Sequence, residues 1–125
     1  MRLIDTDVLI DHFHGVAVAT AYIANALLAD GELFISAVSV TEILAGMRAG
    51  EEADTEELLA LFTIQPADEA AARVAGKYLN QFASSHHLEL GDSMIAATAQ
   101  VLGAELITRN LKHYPMSDIV VQVPY

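Results

Sequence analysis

The chain contains no cysteine. Disulfides, thiolate zinc sites and cysteine nucleophiles are therefore excluded, and the composition fits a cytoplasmic protein. Basic residues are nearly as scarce, with 6 Lys and Arg set against 17 Asp and Glu and a formal net charge of −11. Broad, non-specific binding to nucleic acid wants a basic face, and this chain cannot build a large one. Long apolar runs are missing too. The longest charge-free stretch, His12 to Ala29, is interrupted by two histidines, Gly15 and Asn25, and falls short of the ~20 apolar residues of a membrane span. The amino terminus runs directly into Leu3-Ile4-Asp5, without a signal-peptide layout. No Gly-x-Gly-x-x-Gly loop, Walker A loop or Gly-x-Ser-x-Gly elbow occurs, which leaves nucleotide-cofactor and hydrolase-triad chemistry without a motif. None of the five histidines has a spacing suited to zinc.

What is abundant is apolar surface. Hydrophobic residues make up 54% of the chain and its mean hydropathy is +0.38. That is more than one small subunit readily buries, so a self-association or partner surface is expected. Val16–Leu28 is the candidate surface for a protein partner, and Tyr78–Phe82 the candidate for dimerisation.

Apolar periodicity predicts alternating strands and helices. Strands are expected at Arg2–Asp5, Leu33–Ser36, Thr63–Gln65, Glu105–Thr108 and Asp118–Val123. Helices are expected from Thr6 or Asp7 to Gly15, over Val16–Leu28, from a Ser39 cap to Gly46–Gly50, over Asp54–Phe62, from Asp68 to Ser84–His87, and over Leu90–Leu102. Alternation of this kind implies one domain, residues 1–125. Its sheet should be mostly parallel and covered by helices on both faces.

Polar residues just past the predicted strands carry the chemistry. Asp5 follows Leu3-Ile4, Glu42 comes shortly after Leu33–Ile35, Asp92 opens an apolar helix, and Asn110 follows Leu106-Ile107. Side chains beyond the carboxyl ends of parallel strands meet at one sheet edge. Three carboxylates and an amide oxygen gathered there suit Mg²⁺ or Mn²⁺ and the hydrolysis of a phosphodiester by metal-activated water. Each residue also has a purely structural use. Asp5 can cap a helix. Ser39-Val-Thr-Glu42 has the form of a capping box. Asp7 suits the positive end of a helix, Asp11 reads as a solvated helix-end residue, and Asn110 suits a turn. Asp92 stands apart, because a carboxylate at the mouth of a buried helix needs a partner or a metal.

Taken together, four blocks resemble the signature segments of PIN-domain ribonucleases, and more narrowly of the VapC toxins of bacterial type II toxin–antitoxin systems. The blocks are Leu3-Ile-Asp-Thr-Asp-Val-Leu-Ile-Asp11, Ser39-Val-Thr-Glu-Ile-Leu-Ala-Gly46, Asp92-Ser-Met-Ile-Ala-Ala-Thr-Ala99 and Leu106-Ile-Thr-Arg-Asn-Leu-Lys-His-Tyr114. The resemblance implies a three-layer α/β/α fold with a short, mostly parallel central sheet. It also implies Mg²⁺- or Mn²⁺-dependent endonucleolytic cleavage of RNA, and a homodimer neutralised by a cognate antitoxin. Carried over by position, Asp5, Glu42 and Asp92 are the metal-binding catalytic acids. Asn110 falls where many relatives have a fourth acid, and completes the catalytic set. Arg109 and Lys112 are candidate contacts to RNA phosphates, with His113 a further possible substrate contact, and Thr6 and Thr108 are candidate hydrogen-bonding groups at the site. The residues alone leave open a metal-dependent phosphatase or DNA nuclease, and a non-catalytic Mg²⁺-binding signalling module.

Overall fold

Three two-residue apolar pairs organise the molecule. The computed structural model describes residues 1–125. It places Leu3-Ile4 in β1 (Arg2–Ile4), Phe34-Ile35 in β2 (Phe34–Ser36) and Leu106-Ile107 in β4 (Glu105–Ile107). Successive strand residues point to opposite faces. Leu3, Phe34 and Leu106 therefore enter one core cluster, and Ile4, Ile35 and Ile107 the other. Both members of each pair are buried, as expected of a sheet covered on both sides.

On the first face, Ala71, Ala75 and Tyr78 of α5 (Glu69–His86) pack with Ile95, Ala96, Ala97 and Ala99 of α6 (Leu90–Leu102). On the second lie Val8 and Leu9 of α1 (Thr6–Phe13), Ile23 and Ala26 of α2 (Ala17–Asp30), and Leu58 and Leu59 of α4 (Glu52–Ala60). Gly31 and Gly103, with φ of 74° and 75°, end α2 and α6 in the left-handed conformation that glycine adopts without strain. The remaining helix, α3 (Ala37–Ala45), sits against the edge of the sheet. Its Val38 packs on one cluster, and its Val40 and Ile43 on the other.

The five strands are all parallel, in the order β3-β2-β1-β4-β5, with β3 at Thr63–Gln65 and β5 at Val121–Gln122. The chain builds outward from β1 in one direction through β2 and β3, then returns to the other side of β1 for β4 and β5. That reversal puts a topological switch point at the carboxyl end of β1, where open α/β sheets bind their ligands.

Two boundaries differ most from the sequence expectation. The cap of α3 is Ser36, whose Oγ accepts from Val38 N at 3.2 Å, so the helix starts directly from the end of β2. Ser39 is fully buried inside that helix and caps nothing. The last strand is only two residues long, and Asp118, outside it, accepts a hydrogen bond from Tyr78 Oη at 2.8 Å. The predicted dimerisation segment is also largely consumed within the subunit. Tyr78 is buried, and Leu79 and Phe82 pack against the same core cluster. By contrast Val16, Val18 and Leu28 remain exposed around α2. No single helix is long and apolar enough to cross a membrane.

Candidate functional site

Asp5 lies at the switch point because β1 ends there and α1 begins. Its backbone N–H donates to Ile107 O at 2.9 Å, fastening it to β4, and its Oδ1 accepts from Thr6 N at 2.7 Å as the cap of α1. Capping and site placement thus coexist in one side chain, with Oδ1 turned to the helix and Oδ2 turned to the sheet edge. Oδ2 accepts from two hydroxyls, Thr108 Oγ1 at 2.8 Å and Tyr114 Oη at 2.8 Å. Asp5 is 5% exposed. Burial, reinforced by the neighbouring charge of Asp7, raises its pKa to about 6 despite these three donors.

Glu42 is drawn to the same place from α3. Its Oε1 accepts the proton of Thr6 Oγ1 at 2.7 Å, and the same hydroxyl oxygen lies 2.9 Å from Ser39 Oγ. The capping-box reading of Ser39 and Glu42 is therefore overturned. Thr6 of α1 satisfies the carboxylate, while Ser36 supplies the cap.

Asp92 enters from the first turn of α6. Its Oδ1 is 3.3 Å from Tyr114 Oη and its Oδ2 is 3.4 Å from His113 Nδ1. Next to it, Gly91 lets Glu42 come close, since a Cβ built there would stand 3.2 Å from Glu42 Oε2. Asp5, Glu42 and Asp92, from three separate elements, are thus linked through Thr6, Gly91 and Tyr114.

Asn110 is placed differently. It lies exposed at the start of a 3₁₀ turn, Leu111–His113, and its backbone N–H donates to Thr108 Oγ1 at 3.1 Å. No hydrogen bond connects its side chain to the three acids. The residue that connects Asp5 to Asp92, Tyr114, was missed by the sequence reading. A buried tyrosine whose hydroxyl needs a partner was the available signal, but its burial is not visible in one sequence. Burial first, then Asp5 and Asp92, hold the Tyr114 hydroxyl far above its ordinary pKa, so it carries its proton.

The other acids of the first block have partners of their own. Asp11 Oδ2 is paired with Arg109 Nε at 3.1 Å and accepts from Tyr125 Oη at 2.6 Å. Asp11, expected as a solvated helix-end residue, is instead a paired one. Asp7 Oδ2 accepts from Arg109 N at 3.0 Å, while its Oδ1 is buried with no hydrogen-bond partner. Desolvation raises the Asp7 pKa as well. Arg2 is remote from the site, pairing with Asp30 at 3.4 Å and lying over the Tyr22 ring. Arg109 and Lys112 do line a hollow of about 360 Å³, together with Asn110 and His113. A second cavity, about 280 Å³, opens beside Glu42 among Phe13, Ile43, Met47 and Arg48.

The donor set suits a divalent cation. Asp5, Glu42 and Asp92 have no lysine or arginine partner, in contrast to Asp11, Asp30 and Glu69, which do. One buried carboxylate oxygen, on Asp7, is orphaned beside them. Uncompensated negative charge on hard oxygens is what Mg²⁺ or Mn²⁺ neutralises. No three acidic or histidine side chains stand close enough together to enclose an ion, so the fit to a divalent cation rests on the chemistry of the donors.

The PIN domain family model matches residues 2–117. This chain belongs to the PIN domain family. Two relatives from Mycobacterium tuberculosis have similar sequences. Ribonuclease VapC10 is 45% identical over 94% of this chain and 89% of its own length, and Ribonuclease VapC19 is 35% identical over the full length of both. Among solved structures, a toxin–antitoxin complex from Klebsiella pneumoniae contains a chain 29% identical, with a TM-score of 0.79 over 100% of this chain and 98% of that one. A chain of the DNA-bound VapBC of Salmonella typhimurium has a TM-score of 0.85 at 20% identity, over 99% and 98%, which bears on the fold alone. In this PIN domain the linked carboxylates occupy the carboxyl edge of the sheet.

Proposed function

We propose that this PIN domain is an endoribonuclease of the VapC kind, the toxin of a type II toxin–antitoxin pair, acting in the cytoplasm and held in check by a cognate antitoxin. The reading takes residues 1–125 as one domain, since both core clusters rest on a single sheet. The observation that carries it is the linkage of Asp5, Glu42 and Asp92 through Thr6 and Tyr114 at the switch point of a PIN fold, with none of the three paired to a lysine or arginine. Names of relatives similar over nearly the whole chain support RNA as the substrate. The toxin–antitoxin complex among similar structures supports a protein partner, and the exposed Val16, Val18 and Leu28 give it an apolar surface.

Asp5, Asp92 and Glu42 would hold Mg²⁺ or Mn²⁺. When bound, such an ion polarises the scissile phosphate and makes water nucleophilic near neutral pH. The protein's own part is to fix the acids and receive the RNA. Thr108 and Tyr114 orient Asp5 through Oδ2, and Thr6 orients Glu42. Lys112, Arg109 and the amide of Asn110 rim the hollow beside Asp92 and contact phosphates there. Arg109 is already tied to Asp11 and therefore acts chiefly through position, whereas Lys112 has no carboxylate partner and is free to bind. In a chain so acidic, this cationic rim directs the polyanion to the site. A homodimer fits the apolar surplus, with a surface other than the buried side of α5.

The test is incubation of the purified protein with total cellular RNA, DNA and a small phosphate ester, each with Mg²⁺ and with EDTA. Cleavage of RNA alone, abolished by EDTA and by Asp92→Asn, is the expected result. Preference for DNA or the ester, or cutting unaffected by EDTA, would refute it.

A further inference from the structure

Tyr114 is joined to both the first and the third acid of the site, although it lies on neither a strand nor a helix. It follows the 3₁₀ turn, is 5% exposed, and packs its ring in the core cluster under α5 and α6. Its hydroxyl is 2.8 Å from Asp5 Oδ2 and 3.3 Å from Asp92 Oδ1. A phenol has one proton, so the shorter contact is the full hydrogen bond and the longer one is shared. Asp5 and Asp92 come from elements on opposite sides of the sheet, and no hydrogen bond links them directly.

The occupancy of the Asp5 carboxylate is informative. A carboxylate has about four lone-pair directions. Thr108 and Tyr114 fill both on Oδ2, and Thr6 N–H fills one on Oδ1. One direction is left, on Oδ1. Three donors from three parts of the chain therefore dictate how Asp5 can face an ion. Thr108 Oγ1 also lies 3.3 Å from Asp7 Oδ2 and Thr6 turns its hydroxyl to Glu42, but of these residues only Tyr114 also reaches Asp92.

We infer that Tyr114 is a positioning residue for the metal site, a strut whose hydroxyl sets the spacing and orientation of Asp5 and Asp92 before a divalent cation arrives. The inference rests on the metal-dependent reading above. Groups that orient ligands without touching the metal typically account for about 10–100-fold in affinity. The rigid ring suits this use. It is held by the core, so its hydroxyl is pre-placed at little entropic cost.

The experiment is a Mn²⁺ titration without RNA, by calorimetry or by the loss of free-ion electron paramagnetic resonance signal. It compares the parent protein with Tyr114→Phe, Tyr78→Phe and Asp92→Asn. Tyr78 is the control, because its hydroxyl also donates to a carboxylate, that of Asp118, away from the site. Melts in EDTA check that every variant is folded at the titration temperature. The expected result is a Mn²⁺ affinity about tenfold weaker in Tyr114→Phe and unchanged in Tyr78→Phe. Unchanged or tighter binding by Tyr114→Phe would overturn the strut, tighter binding meaning that the hydroxyl competes with the ion. Failure of the parent to bind Mn²⁺ at all, or binding that survives Asp92→Asn, would instead refute the metal site itself.

Discussion

Replacing Asp5 by Asn should make the metal-free protein more stable at neutral pH while removing its activity. Asp5 is 5% exposed and its pKa is raised from 3.8 to about 6, mainly by burial and then by Asp7. A carboxyl raised in the folded state binds more protons folded than unfolded between those values. Stability therefore falls as pH rises from about 4 to about 6 and is level above. At ~1.4 kcal/mol per pK unit, the ionised form costs on the order of 3 kcal/mol at pH 7. Asparagine removes that charge and keeps an oxygen for Thr108 and Tyr114, but its amide then faces Thr6 N–H, which loses its acceptor at a cost of about 1 kcal/mol. The net gain is roughly 2 kcal/mol at pH 7, a rise in melting temperature of roughly 5 °C or more for a domain of this size. At pH 4 the parent's Asp5 is itself neutral, and the gain should vanish or reverse. The assay is a set of thermal melts in EDTA from pH 4 to 8, followed by melts with excess Mg²⁺, which should stabilise the parent and not the variant. A melting difference that stays constant across pH, or grows toward acid, would refute the assignment of a desolvated carboxylate.

Gly91→Ala should separate stability from activity. Alanine favours the first turn of α6 by up to ~1 kcal/mol, yet its Cβ would meet Glu42 Oε2 at 3.2 Å, so RNA cleavage should drop while the melt holds or rises. Lys112→Ala should raise KM for RNA several-fold, reduce the salt dependence of binding by about one phosphate contact, and leave kcat nearly unchanged. Leu106→Ala removes a fully buried side chain from an interior strand of the sheet and should cost ~2–5 kcal/mol in denaturant melts, with no change in Mn²⁺ affinity while the protein remains folded.

Local pattern carried a great deal of this molecule. Apolar pairs such as Leu3-Ile4 and Leu106-Ile107, bounded by polar residues, specify strands buried on both faces, and the 3.6-residue spacing of Ala71, Ala75 and Tyr78 specifies the inner side of α5. Those signals depend on neighbours within a few residues, so the alternation of strands and helices, the parallel sheet and the placement of Asp5, Glu42 and Asp92 beside strand ends or helix starts are all legible from the chain. Relationships across the fold were not. Ser39 and Ser36 are equally plausible caps by residue type, and the choice turned on the path by which β2 passes straight into α3, leaving Ser39 to meet Thr6. Asp11 has an ordinary helix-end sequence, and its partners Arg109 and Tyr125 lie at the other end of the chain. Tyr114 is 109 positions from Asp5, and only the closing of β4 against β1 brings its hydroxyl there. Hydrophobic periodicity records which side of an element faces the core. Which polar groups then meet at the sheet edge is decided by packing, because hydrogen bonds reach about 3 Å and have no counterpart in local sequence spacing.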